Sequence, residues 1–311
     1  MERKARQPSV PLIRFALRRD PRMETSQSIT RKSASNLALA FVLLPKAKRE
    51  GMSALYAFCR EVDDLADEEV RPVAERRRLL AAWRDDISKA CRGESPTFSV
   101  NRELQPIIQR HHLPFALFDE LLLGVEMDLD IHRYETTGDL EKYCYRVASV
   151  VGLLSIEIFG YQNSACREYA DALGKALQLT NILRDVRIDA QRDRIYLPLE
   201  ALRRFDVREE EILQFKYSER FCRLASHVAD HARGYYEKAR RLLPAEDRRS
   251  MAAAELMGSV YWRLLRKLEL QRFDVFGPEP TRLSKTQKIL LILRTWLRVV
   301  SGAVVPNYGA R

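Results

Sequence analysis

The sequence predicts an all-α fold built as one helical domain, and three observations predict it. Leu, Ala, Arg, Glu and Lys dominate the 311 residues, and all favour helix. Gly and Pro number only 12 and 13, too few to turn a β-sandwich every ten residues or so. Apolar residues recur with helical periodicity almost from end to end. A hydrophobic share of 46% supplies a sizeable core and excludes a disordered chain.

Residues 1–32 come first. They carry nine Lys/Arg against three Asp/Glu, with Pro8, Pro11 and Pro21, and are read as a mostly flexible basic arm. They lack an apolar segment followed by a cleavage site, so no signal peptide is expected; an organellar transit peptide is the alternative. Residues 33–303 form the helical domain. Periodicity places helices at 34–44, 47–69 and 72–91, the third closed by Arg92-Gly93-Glu94-Ser95-Pro96. Helix 100–111 runs into His111-His112-Leu113-Pro114, and 115–131 follows. Thr136-Thr137-Gly138 breaks the chain before 139–160, with Asp139 or Thr137 as the expected cap. Helix 165–190 precedes Leu197-Pro198. Helices 217–243 and 246–272 lead to Gly277-Pro278-Glu279-Pro280, and 284–301 is the last. Residues 304–311 are a short tail. No internal repeat or domain-separating linker appears.

The formal net charge is +10, which admits nucleic acid, an anionic membrane surface or phosphorylated small molecules as partners. No helix shows a basic face interleaved with exposed aromatics, so nucleic acid is not expected. The five cysteines form no CxxC pair and read as reduced thiols of a cytoplasmic protein. No run of 18 apolar residues occurs, so no membrane span is expected.

Two aspartate ladders carry the chemical signal. On a helix, Leu55, Phe58, Val62, Leu65 and Ala66 make one apolar stripe. Tyr56, Arg60, Asp63 and Asp67 share an arc of roughly 60° beside it. A merely solvated acidic face would lie opposite the stripe. Asn181, Asp185 and Asp189 follow at i, i+4 and i+8, with Gln178 one turn earlier, in an arc of roughly 80°. Carboxylates spaced this way each hold Mg²⁺ by one or two oxygens and leave its other positions to water and substrate phosphate. Two facing ladders would clamp a diphosphate and promote C–O ionisation. Arg60, Arg184 and Arg194 would add charge-assisted bonds to phosphate oxygens.

These residues resemble the squalene/phytoene synthase family of head-to-head prenyl-diphosphate condensing enzymes. Tyr56-Ala57-Phe58-Cys59-Arg60 through Asp67 is similar to the family's first signature. Leu177-Gln178-Leu179-Thr180-Asn181-Ile182-Leu183-Arg184-Asp185 through Tyr196-Leu197-Pro198 is similar to the second. Tyr143-Cys144-Tyr145-Arg146-Val147-Ala148 through Gly152 is similar to a mid-chain segment, and the likeness covers about residues 33–300. The resemblance implies an isoprenoid-synthase helical bundle with a central cavity, making residues 33–303 a catalytic domain.

By motif position it implies Asp63, Asp67, Asn181, Asp185, Asp189 and Asp128 around Mg²⁺, with Mn²⁺ as a substitute. Arg60, Arg184, Arg194, Gln178 and Tyr196 would contact diphosphate, and Tyr56 and Tyr143 would line the reacting centre. Lys32-Ser33-Ala34-Ser35-Asn36 departs from the family's Ser-x-Ser-Phe patch, but Ser35 and Asn36 can still donate to a phosphate. Phe41, Val151, Gly152 and Leu177, with Leu153 and Ile182, are cavity candidates. The implied reaction is loss of diphosphate from one allylic substrate, attack by the double bond of the other, and proton loss to a cyclopropylcarbinyl diphosphate.

Met127-Asp128-Leu129-Asp130 through Arg133-Tyr134-Glu135-Thr136, and Phe273-Asp274-Val275-Phe276-Gly277, look most like bacterial presqualene diphosphate synthases of hopanoid pathways. Farnesyl diphosphate is then the expected substrate, and NADPH enters only if the product is squalene. Phytoene synthesis from geranylgeranyl diphosphate is the alternative within the family. A non-catalytic prenyl-binding or assembly factor would be expected to have broken ladders, and these are intact.

Two further features stand apart. His227 and His231 sit at i, i+4 without an acid at zinc-site spacing, and read as surface or half-buried residues. Residues 289–300 mix apolar side chains with arginines, which suits either a packed last helix or an interfacial one. With the basic arm, the second reading predicts peripheral contact with the inner face of the cell membrane, near downstream isoprenoid enzymes.

Overall fold

A computed structural model describes residues 23–32, 40–302 and 306–309. It is about 73% helical. Among the described residues there is no strand, only an isolated bridge between Arg133 and Ile195. The helices are α1 (Glu24–Lys32), α2 (Lys46–Asp67), α3 (Val73–Arg92), α4 (Ser99–His111), α5 (Phe115–Asp130), α6 (Thr137–Cys144) and α7 (Val150–Phe159). They continue with α8 (Ala165–Ala190), α9 (Leu199–Arg204), α10 (Glu209–Leu213), α11 (Glu219–Leu242), α12 (Ala252–Leu270) and α13 (Lys285–Val300).

Most expected helices stand within a residue or two of their predicted ends, and the differences have local causes. The expected segment 139–160 is two α-helices joined by a π-helical turn, Tyr145–Ser149. Its cap is Thr136, one residue before the candidate Thr137. The Thr136 hydroxyl accepts from Asp139 N–H at 3.1 Å, and Asp139 returns a bond to Thr136 N–H. Helix 246–272 begins only at Ala252, because Asp247 turns away to accept the N–H groups of Gln162 and Asn163 at 2.8 and 2.9 Å. Of the expected helix 34–44, residues 34–39 lie outside the described residues, and Phe41–Leu43 form a 3₁₀ turn.

The basic arm differs more. Residues 1–22 lie outside the described residues, but α1 docks on α2 and α4, and Glu103 of α4 accepts the Thr25 and Ser26 N–H groups at 3.0 and 2.8 Å. A carboxylate on the free N–H groups of a helix satisfies them and favours its dipole.

Helix α8 is central and packs along α11, α7 and the π turn. Glycines permit the closest approaches. A Cβ on Gly174 would stand 2.6 Å from Ser149 Cα, and one on Gly124 would stand 2.7 Å from Arg146 Cβ. The π turn is thus pressed between α5 and α8, the kind of local unwinding that often marks a functional wall. The result is a cavity of about 390 Å³ bounded by α2, α5, α7, α8 and α12.

Candidate active site

The cavity has a polar mouth and an apolar depth. Arg60 and Asp63 reach the mouth from α2, Asp128 from α5, Tyr143 from α6, and Gln178 and Asn181 from α8. Their amphipathic spacing puts them beside the buried stripes of their helices, as the sequence required. Phe41, Tyr56, Val151, Gly152 and Leu177 line the cavity as expected. Leu153 and Ile182 do not: both are packed in the core around it. At Leu153 the reason is rotation by one residue, since Gly152 faces the space and Leu153 faces the bundle. Ser35 and Asn36 lie outside the described residues.

The two ladders meet through arginines that follow α8. Asp67 accepts from Arg192 at 2.7 Å and from Arg194 at 3.0 Å. Burial raises the Asp67 carboxyl, but the two bonded guanidiniums outweigh it and hold it below the usual carboxylate range. Arg194 also donates to the Asp128 carbonyl at 3.2 Å. Asp128 accepts from Tyr143 at 2.9 Å and from Tyr196 at 2.7 Å, yet burial still pushes its carboxyl upward. Tyr143 and Tyr196 stack at 5.2 Å, and Tyr134 backs both. Asp185 is held by its neighbour Arg184, with one bond of 2.7 Å.

Two carboxylates lack enough neighbouring positive charge to stay ionised easily. Asp63 is pushed up to about 7 by burial and by Asp67, with Arg60 opposing at 3.4 Å. About half its side chain is accessible, and it lines the cavity mouth. Asp189 is pushed up to about 8 by burial and by Asp185. Beside them the Asn181 side-chain oxygen is buried without a hydrogen-bond partner.

This donor set fits a hard divalent cation: oxygen ligands only, like charges in mutual repulsion, and an orphaned amide oxygen. Among the described residues no three Asp, Glu, His or Cys side chains converge as a finished metal cage. Mg²⁺ is ordinarily held by one or two carboxylates together with substrate phosphates.

Sequence reasoning missed Arg192, Tyr169 and the α12 wall residues Ala253, Ala254, Met257 and Tyr261. Arg192 was legible in principle, two residues before Arg194. The α12 residues carry no signal beyond helical periodicity. His227 and His231 are half-buried, with their rings 4.9 Å apart, away from the mouth.

A greasy cavity under a mouth of carboxylates and guanidiniums defines an enzyme that grips a polyanionic head and sheathes a long apolar body. The comparisons narrow that class. Residues 30–287 match the squalene/phytoene synthase family, and the chain belongs to it. A presqualene diphosphate synthase of Rhodopseudomonas palustris is 34% identical, over 84% of this chain and 92% of that one. A 15-cis-phytoene synthase of Synechococcus elongatus is 35% identical, over 81% and 85%. A dehydrosqualene synthase crystal structure superposes with a TM-score of 0.79 at 30% identity, covering 90% of this chain and 97% of that one. A squalene synthase structure from Alicyclobacillus acidocaldarius gives 0.73 at 28%, covering 81% and 94%. The chain is therefore a prenyltransferase of the head-to-head condensing family, whose substrates are prenyl diphosphates.

Proposed function

We propose that this enzyme joins two farnesyl diphosphates head to head (1′-2-3) and releases presqualene diphosphate for triterpenoid synthesis. The depth of the cavity carries this reading. It follows α8 from Asn181 at the mouth to Tyr169 at the far end, twelve residues or about 18 Å of helix. The diphosphate takes up the mouth and the Tyr169 ring closes the other end, so three isoprene units fit extended more readily than four.

Asp63, Asp67, Asn181, Asp185 and Asp189, with Asp128 near the second head group, are the residues that would hold Mg²⁺. The ion, when bound, supplies charge that stabilises the departing diphosphate. Arg60, Arg184, Arg194 and Gln178 orient the phosphate oxygens. On the donor, the C1–O bond breaks and the electron pair leaves with diphosphate. The acceptor's double bond attacks that carbon, and a proton is lost as the cyclopropane closes. Tyr56, Tyr143 and Tyr196 edge this centre, and Phe41 and Leu177 exclude the water that would quench the cation. Residues Lys285–Val300 add a bilayer-facing edge that suits a lipid product.

The test is product analysis by mass spectrometry, with Mg²⁺ and farnesyl or geranylgeranyl diphosphate, each with and without NADPH. Presqualene diphosphate from the C15 substrate, unchanged by NADPH, supports the proposal. Squalene formed only with NADPH extends it by a reductive step. Phytoene from the C20 substrate replaces it, and inactivity with both substrates leaves a non-catalytic prenyl-binding protein.

A further inference from the structure

The far end of the cavity is locked from behind by the C-terminal tail. Tyr169 of α8 lines the cavity, and its hydroxyl donates to Glu255 of α12 at 2.7 Å. The Tyr308 hydroxyl donates to the same carboxylate oxygen from the other side. All three side chains are buried, Tyr169 and Tyr308 at 0% exposure. The tail is seated by shape as well. A Cβ on Gly258 would stand 2.5 Å from the Tyr308 ring, and Gly309, at φ 68°, lies against the backbone of Glu237. Asn307 bonds Ser259, and the Tyr308 ring meets Tyr236 at 5.7 Å.

Glu255, Gly258 and Ser259 thus face the tail while Ala253, Ala254 and Met257 of the same helix face the cavity. Burial pushes the Glu255 carboxyl up to about 7, with Arg248 and Arg298 the nearest compensating charges. A carboxyl buried this deeply persists only because both tyrosines satisfy it. Its geometry leaves Tyr169 no freedom to swing out of the path of a longer chain.

We propose that Tyr169 is the floor that limits isoprenoid chain length, and that Tyr308 is a positioning residue that holds this floor through Glu255. The inference rests on the reading that prenyl chains fill this cavity. Truncating the floor lengthens the tunnel, and releasing the latch lets the floor and α12 yield.

The test measures kcat/KM for geranylgeranyl and farnesyl diphosphate, and the melting temperature, in the full chain and in Tyr169→Ala, Tyr308→Ala, Tyr308→Phe and Glu255→Gln. The C20-to-C15 ratio should rise at least about fivefold in Tyr169→Ala and Tyr308→Ala, a size typical of apolar pocket discrimination. Tyr308→Phe should fall between them and wild type, and Glu255→Gln, which still accepts both hydroxyls, should keep the wild-type ratio. An unchanged ratio with a lower melting temperature makes the tail a structural brace only and overturns the proposal. If Tyr308→Ala does not fold, an unchanged ratio in both Tyr169→Ala and Tyr308→Phe does the same. Should wild type turn over neither substrate, the functional reading fails by itself. The floor is then read from the relative affinities of non-ionisable farnesyl and geranylgeranyl thio-diphosphates in the same variants.

Discussion

At the scale of single residues, the ladders can be separated from the core by what each carboxylate touches. Asp67 and Asp185 bond only arginine side chains and keep 32% and 22% of their side chains accessible. Asp185→Ala and Asp67→Ala should therefore lower kcat/KM at least about a hundredfold, the scale of losing one electrostatic contact in a closed site. Their melting temperatures should stay within a few degrees of wild type. Unfolding of the variants with activity retained in the folded fraction would show the aspartates to be structural. Glu255 gives the opposite kind of prediction. Its folded pKa of about 7 lies above the ordinary glutamate value of 4.5. The native state therefore keeps the proton that the unfolded chain has released, and stability falls as pH rises from 4.5 to 7. Tyr169 and Tyr308, pushed well upward by burial, stay neutral over that range, and Arg248 and Arg298 face the same carboxyl. Urea unfolding of wild type and Glu255→Gln across this range should show the extra slope in wild type alone. The aspartates were legible because i, i+4 spacing is geometry written in sequence. Glu255 was not, since its partners lie 86 and 53 positions away.

At the scale of elements, strong periodicity carried most helices, and local chemistry explains the exceptions. The π turn at Tyr145–Ser149 is invisible to a 3.6-residue pattern, because it arises from crowding against Gly124 and Gly174. Helices α9 and α10 have six and five residues, too short to show a period. Helix α13 keeps two apolar faces. Leu291 and Thr295 are buried, while Ile289, Leu290, Leu293, Trp296 and Leu297 stand 50–60% exposed on the far side. Lys285 and Arg294 flank that stripe, and no acidic residue follows Glu279. An apolar stripe bordered by cations fits an anionic bilayer. Leu293→Asp with Trp296→Asp should reduce co-sedimentation with anionic vesicles at least about tenfold, since each half-exposed side chain contributes about 1 kcal/mol on insertion. Equal sedimentation with neutral vesicles would remove the charge contribution, and equal sedimentation of the double variant would remove the stripe from the account.

At the scale of the whole molecule, the fold brings two ladders into one electrostatic field without completing a cage for either. Asp67 and Asp185 are neutralised by arginine, while Asp63, Asp128 and Asp189 crowd one another. The family likeness was legible in the motifs, but this balance was not, because Arg192 and Arg194 reach Asp67 only after the chain has turned back beyond α8. A site so balanced gains little from either ligand alone. Mg²⁺ lacks its phosphate oxygens, and diphosphate meets carboxylates that repel it. Together each supplies what the other lacks, so binding should be strongly coupled. Thermal melting with EDTA, with Mg²⁺, with inorganic diphosphate, and with both should show it. Each alone should move the midpoint by about 1 °C or less, and the pair by roughly 5 °C at saturation, the shift expected for a few kcal/mol of linked binding. In Asn181→Ala that joint shift should shrink while the EDTA midpoint holds, because the orphaned amide oxygen serves only the occupied site. A full shift with Mg²⁺ alone would mean that the ladders form a complete metal site by themselves.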